Sequence, residues 1–233
     1  GEGVAGVEVL HVPGRLFPVE VEYAGDSPAP VETRVADVLR DSWEGDPLVF
    51  LPGVREIERT MRALYPLAQR RGHDVLALHG SLTKEEQDRA VRFDPAAPPR
   101  VICATNIAET SLTLPGVRLV IDSGLVRQAG YDAGRGLETL STTRISKASA
   151  EQRAGRAGRV AAGRCVRLWS KMTQHRLADF DIPEIRRVDL AEASLAVRAW
   201  GGDPASFGWF EAPDPRLLEA AGRLLEMIGA VHE

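Results

Sequence analysis

Short apolar, β-branched runs alternate along the chain with segments whose apolar residues recur about once per helical turn. The runs are Leu48–Leu51, Val75–Leu78, Arg100–Ala104, Arg118–Asp122 and Cys165–Trp169. Their unbroken apolar character predicts strands buried on both faces. Between the first two, Ile57, Met61, Leu64 and Leu67 predict a helix over Val54–Arg71, and Thr83-Lys84-Glu85-Glu86 opens another as a capping box. Strand-helix-strand order of this kind predicts an α/β fold: a mostly parallel sheet flanked by helices, with ligands beyond the carboxyl ends of the strands. The loops there read Pro52-Gly53, His79-Gly80-Ser81, Thr105-Asn106 and Ser123-Gly124, small or polar residues that bring backbone N–H groups to a phosphate.

Two β-like runs around Gly130–Gly136 predict a projecting hairpin between Leu125 and Thr142. Pro18–Tyr23 predicts an edge strand within an extended lead-in, residues 1–30. Strand signals stop after Pro183. Leu190–Trp200 and an amphipathic helix over Asp214–Ile228 predict a small helical unit over 182–233, after a main domain at 31–181.

Composition narrows the class. With 44% apolar and 27% charged residues, the 233-residue chain has ordinary globular usage, so a disordered or fibrous chain is excluded. No run approaches the roughly 18 uncharged apolar residues of a membrane helix, and the first residues carry no basic n-region followed by an apolar h-region, so neither membrane insertion nor export is expected. Cys103 and Cys165 stand 62 positions apart in apolar runs without ligand-spaced partners, which predicts reduced core thiols, no metal site and a cytoplasmic location. The net charge is −4, yet residues 135–187 hold 12 Lys and Arg against 5 Asp and Glu, a local +7; the remainder has 17 against 28. A phosphate-binding surface is therefore expected in that stretch.

Within it lies Gln152-Arg153-Ala154-Gly155-Arg156-Ala157-Gly158-Arg159, preceded by Ser149, which with Gln152 reads as another capping box. Read as one helix, Gln152, Arg156 and Arg159 fall at i, i+4 and i+7 on a shared face. Glycine inside a helix costs about 1 kcal/mol against alanine, so two glycines imply close packing or a ligand. Such arginines can neutralise a transferred phosphoryl group while an amide orients the attacking water. A solvated basic face is the other reading.

This segment resembles motif VI of superfamily 2 helicases in their DEAH-box form, and Ala104–Thr113 resembles motif V of the same group. Phe50–Ile57 is similar to motif IV and Leu78–Leu82 to the motif after it, while Arg15–Glu20 resembles the bacterial HrpB-type branch. The resemblance implies a second RecA-like domain followed by the start of a winged-helix domain. It implies that Gln152, Arg156 and Arg159 face the γ-phosphate and attacking water, with Arg153 structural. Phe93 would stack on the adenine base, Ser111 would sense nucleotide state and Thr113 would lie near the nucleotide. Gly53, Gly80, Ser81, Thr105 and Asn106 would hold the backbone of single-stranded RNA, joined by Arg127, Arg135 and Arg144 of the hairpin. Core packing at Phe93, capping at Ser111 and Thr113, and solubilising roles for the hairpin arginines are the alternatives.

Pro115-Gly116 departs from the group's pattern, which often has an acidic residue at that point. No Gly-x-x-x-x-Gly-Lys-Ser/Thr loop or Asp-Glu-x-His sequence occurs in the 233 residues. The resemblance therefore implies that an N-terminal RecA-like domain of the same polypeptide holds the ATP phosphates and Mg2+, and that this chain alone hydrolyses no ATP. The expected function is the C-terminal motor domain of an ATP-dependent RNA helicase. A ribonucleoprotein-binding scaffold and a DNA-directed helicase are the alternatives.

Overall fold

The computed structural model describes residues 17–41, 43–94, 96–110 and 112–231. Strands β1 (Val19–Tyr23), β2 (Leu48–Phe50), β3 (Asp74–Leu78), β4 (Arg100–Ala104), β5 (Leu119–Asp122) and β8 (Gly163–Arg167) form one parallel sheet in the order β1-β8-β5-β2-β4-β3. Strands β6 (Leu125–Asp132) and β7 (Leu137–Arg144) form a separate antiparallel hairpin. This RecA-like arrangement is the expected fold.

Period-two alternation sorts the strand residues onto two faces. Val49, Val101, Cys103, Leu119, Ile121 and Val166 pack under helices α1 (Val31–Asp41) and α2 (Val54–Arg71), through Val35, Leu39, Ile57 and Leu64. Leu48, Phe50, Ile102, Ala104, Val120 and Cys165 face Ala90 of α3 (Lys84–Val91), Ala108 of α4 (Ile107–Thr110), Ala154 of α5 (Lys147–Ala154) and Ala157 of a 3-10 turn at Gly155–Gly158. Both cysteines are fully buried, as expected of core thiols. The capping box on α3 forms, Thr83 and Glu86 each accepting the other's backbone N–H.

Four details depart from the sequence expectations. Helix α1 was not among the expected elements; its short apolar stripe, Val31, Val35, Ala36 and Leu39, gains meaning only against α2 and the sheet. Strand β8 starts at Gly163, two residues early, because Arg164 pairs at the sheet edge with Glu22 of β1, Nε to Oε1 2.7 Å, and so breaks the apolar run. The cap of α5 is Ser146, whose hydroxyl accepts from the Ser149 N–H at 3.1 Å, so Ser149 lies inside the helix. The helix also ends at Ala154 and tightens to 3-10 geometry, so the single helical face expected for Gln152, Arg156 and Arg159 does not form.

A Cβ on Gly158 would lie 2.5 Å from the Phe17 carbonyl, and one on Gly163 would lie 2.2 Å from that of Ala157. Packing thus explains one of the two motif glycines, while nothing lies near Gly155. The hairpin leaves the sheet and its tip is braced: Tyr131 and Ala133 pack against Leu190, Leu217 and Ala221 of the helical segment. That segment comprises α7 (Ala191–Ala199) and α8 (Pro215–Met227), reached through α6 (Lys171–Arg176). No helix among the described residues is long and apolar enough to cross a membrane.

Candidate nucleic-acid and nucleotide interface

The sheet order sets the loops after β2, β4 and β3 side by side. Their backbones are tied to one another: Leu51 N–H donates to the Ala104 carbonyl at 2.8 Å, and Thr105 N–H to the Leu78 carbonyl at 3.1 Å. Neighbouring strands lie about 4.8 Å apart, so Gly53, Thr105-Asn106 and Gly80-Ser81 occupy a strip about 10 Å wide. Gly80, Ser81 and Asn106 are exposed, Thr105 half-buried and Gly53 buried. Arg127 covers Gly53, while Arg135 stands at the hairpin tip, its guanidinium 3.7 Å from Asp132 and 79% exposed.

Phe93 and Thr113 lie away from this strip. Phe93 follows α3, is half-exposed, and presents its ring edge at 3.3 Å from where a Gly116 Cβ would stand. Thr113 is exposed in the same loop as Pro115 and Gly116. Ser111 lies outside the described residues, as do Arg15 and Leu16.

The arginine segment lies against α4 and the loop after it, through Glu109 and Leu112. Gln152 and Arg159 are exposed, whereas Arg156 is buried. Its Nε donates to the Glu109 carbonyl at 2.8 Å, Nη2 reaches the same oxygen, and Nη1 donates to the Leu112 carbonyl. Burial, with neighbouring Arg159 in support, lowers its pKa against the pull of Glu109. A guanidinium has five N–H groups, so these carbonyls engage three of them.

Arg153 is 1% exposed, and its Nε donates to Glu109 Oε2 at 3.0 Å. Nη1 donates to Asp122 Oδ1 at 2.9 Å and to the Leu125 carbonyl at 3.3 Å. Its guanidinium lies 4.9 Å from the Phe50 ring centroid. Burial opposes the charge, but Asp122 and Glu109 outweigh it and hold the pKa above the ordinary arginine value. The expected structural role of Arg153 is observed.

Two partners escaped the sequence reading. Asp122 ends a buried apolar strand, an unusual place for a carboxylate, and Glu109 is the sole acidic residue from Thr105 to Thr113. Both signals were present, but neither identifies its partner.

The family described as the helicase conserved C-terminal domain matches residues 32–161. The chain belongs to that family. This helicase C-terminal domain is 42% identical over 230 residues to the ATP-dependent RNA helicase HrpB of Escherichia coli K12, covering 94% of the chain and 28% of that protein. It is 38% identical over 240 residues to the human probable ATP-dependent RNA helicase DHX34, covering 96% and 21%. The crystal structure of the E. coli DEAH/RHA helicase HrpB is similar with a TM-score of 0.85 at 39% identity, over 94% of the chain and 29% of that structure. The DEAH-box resemblance, with its HrpB-type branch, is thus shown, and the helicase domain spans under a third of these relatives' lengths.

Proposed function

We propose that this chain is the C-terminal motor domain of an ATP-dependent RNA helicase. It would grip single-stranded RNA and supply arginines to ATP hydrolysed against an N-terminal RecA-like domain of the same polypeptide. In this reading residues 31–181 are the motor unit, residues 1–30 lead into it, and 182–233 begin a winged-helix domain.

The observation that supports the reading is a strip of small and polar loops after β2, β3 and β4 whose α4 turn is held by a buried arginine network. Gly53, Gly80, Ser81, Thr105 and Asn106 offer amides and hydroxyls in a strip suited to phosphate contact without base reading. Arg127 and Arg135 add charge, and the weak, exposed pair of Arg135 with Asp132 can yield to a phosphate. Phe93 offers a ring edge for an adenine base, beside the turn that holds Gly116, with Ser111 and Thr113 shortly before that turn in sequence.

For hydrolysis, water attacks the γ-phosphorus and ADP leaves. Gln152 orients the water through its amide, while Arg159 and Arg156 neutralise the charge spread over the phosphoryl oxygens. Mg2+ belongs to the N-terminal domain in this reading. Among the described residues no cluster of His, Cys, Asp and Glu is placed to hold a metal.

The test is ATP hydrolysis by the intact protein with and without single-stranded RNA, for wild type and Arg156→Ala. RNA-stimulated turnover that falls by about 10³ to 10⁵ in the variant supports the motor reading. Turnover indifferent to both RNA and Arg156 overturns it in favour of a scaffold. Stimulation by DNA equal to that by RNA of the same length points instead to a DNA-directed motor.

A further inference from the structure

We infer that Asp46 and Arg100 are positioning residues for Phe93: together they fix the loop that presents its ring to the nucleotide base, an inference that rests on the functional reading above.

Three contacts carry it. First, Arg100 closes the loop over residues 93–99 across its own mouth. It begins β4, where that loop ends, and its Nη1 donates back to the carbonyls of Arg89 and Arg92, the latter being the residue before Phe93. These carbonyls lie at the C-terminal end of α3, which favours a cation. Second, Asp46, two residues before β2, aims the guanidinium: its Oδ2 accepts from Arg100 Nε at 3.0 Å and its Oδ1 from the Arg100 backbone N–H at 3.2 Å. The side chains of Arg100 and Asp46 are only 8% and 11% exposed, so neither moves away without leaving a buried charge unpaired. Third, Asp46 and Phe93 flank one point. A Cβ on Gly116 would stand 2.9 Å from Asp46 Oδ2 and 3.3 Å from Phe93 Cε2. Gly116 has φ +91°, and its carbonyl accepts from the Asp46 N–H at 3.0 Å. The bare glycine therefore lets the ring edge and the carboxylate approach the same turn.

This arrangement presents a ring rather than burying it. Phe93 is 48% exposed and lines a cleft of about 590 Å3 with Arg92, Pro99 and Arg100. The bonds printed within the loop itself, Ala96 N–H to Asp94 Oδ1 at 2.9 Å and Ala97 N–H to the Asp94 carbonyl at 3.1 Å, shape a turn but do not fix it to the sheet. Arg100 and Asp46 do. Arg100 Nη2 is buried with no hydrogen-bond partner among the described residues. An unpaired buried N–H is unfavourable, so Asp46 and the two carbonyls, and not the satisfaction of every donor, set where the guanidinium lies. A ring held in place before the base arrives loses less freedom on binding, which favours affinity.

The experiment measures kcat/KM of the intact protein, at saturating single-stranded oligonucleotide RNA, for ATP and for ribose 5-triphosphate, which lacks the base. The ratio of the two isolates what the base contributes, and a smaller folded fraction cancels from it. Phe93→Ala is expected to lower the ratio about tenfold, within the span for losing one base–aromatic stack. Arg100→Met, which keeps the buried stem and removes every donor, is expected to lower it by a similar factor. Asp46→Asn, which keeps the shape and removes the charge that aims the guanidinium, is expected to lower it about threefold, and it supplies the test if Arg100→Met melts below the assay temperature. Phe93→Ala combined with Arg100→Met should fall no further than Phe93→Ala alone, because both act through one ring. A ratio lowered in Phe93→Ala but equal to wild type in Arg100→Met and Asp46→Asn overturns the positioning role and leaves the functional reading standing. A wild-type ratio in Phe93→Ala overturns the stacking role of Phe93 and this inference with it, while a wild-type protein without turnover of either substrate overturns the motor reading.

Discussion

Arg127 of the hairpin lies across Gly53, the residue before α2: a methyl group on Gly53 would meet Arg127 Cδ and Nε at 3.2 Å. The two residues come from regions 74 positions apart and were expected separately to contact RNA. Here they form one surface, with the small residue allowing the large one to lie flat.

Gly53→Val is therefore expected to displace Arg127 without straining the backbone, which is extended at φ −167°. Stability should change by less than about 1 kcal/mol, since the far end of the half-buried Arg127 side chain can give way. RNA affinity of the intact protein should fall, and Arg127→Ala should reduce the slope of log affinity against log salt by about 1. Anisotropy titrations at several salt concentrations measure both; an unchanged slope removes Arg127 from the phosphate contacts.

Gly124 has φ +70°, and a Cβ there would stand 2.7 Å from Cε3 of the fully buried Trp169. Backbone strain of about 1 to 3 kcal/mol combines with a clash that the packed ring cannot relieve. Gly124→Ala is expected to destabilise the fold by at least that amount, read as a lower denaturant midpoint, and to alter tryptophan emission. A midpoint equal to wild type would contradict the packing described.

Arg156 and Arg159 should separate stability from chemistry. Arg159 is exposed and its removal should cost no more than about 0.5 kcal/mol. Arg156 holds the Glu109 and Leu112 carbonyls, so Arg156→Ala should destabilise by about 1 to 3 kcal/mol by leaving buried acceptors unpaired. Both variants should lose ATP turnover in the intact protein. Equal melting temperatures for the two would show that the carbonyl contacts of Arg156 carry no stability.

Burial pushes the Cys103 thiol up to about 12 from an ordinary 9.0, and burial likewise raises Cys165. The folded state thus binds protons that the unfolded state releases above pH 9. This contribution to stability is complete below pH 9 and is lost as the pH rises from 9 toward 12. Denaturation midpoints across that window should fall with pH, and less steeply in Cys103→Ala. At neutral pH both thiols should resist a disulfide reagent until the chain unfolds. Rapid labelling of native protein would refute their burial.

Much of the architecture was legible because it is local. The run Val101-Ile102-Cys103 is apolar at every position, which only a strand covered on both faces tolerates, and the turn-by-turn spacing of Ile57, Leu64 and their neighbours specified α2 from Val54 to Arg71. The hairpin was equally clear from glycines between two β-like runs. Helix α1 was missed because its stripe is short and follows a proline-rich link, and the Ser146 cap was missed because Ser149 with Gln152 offered a competing pattern three residues later.

The residues of the candidate interface were likewise visible in sequence, as small polar loops after apolar runs and as arginines at a fixed spacing. Their disposition was not. Local pattern determined which segments form strands and helices and which loops end them, because periodicity and capping act over a few residues. Tertiary structure alone decided that β2 lies between β5 and β4, that Arg156 turns inward to carbonyls 44 and 47 residues earlier, and that Arg153 joins Glu109 to Asp122. Those contacts depend on which distant groups the sheet order brings within hydrogen-bonding reach of a buried guanidinium, and no short-range pattern encodes that.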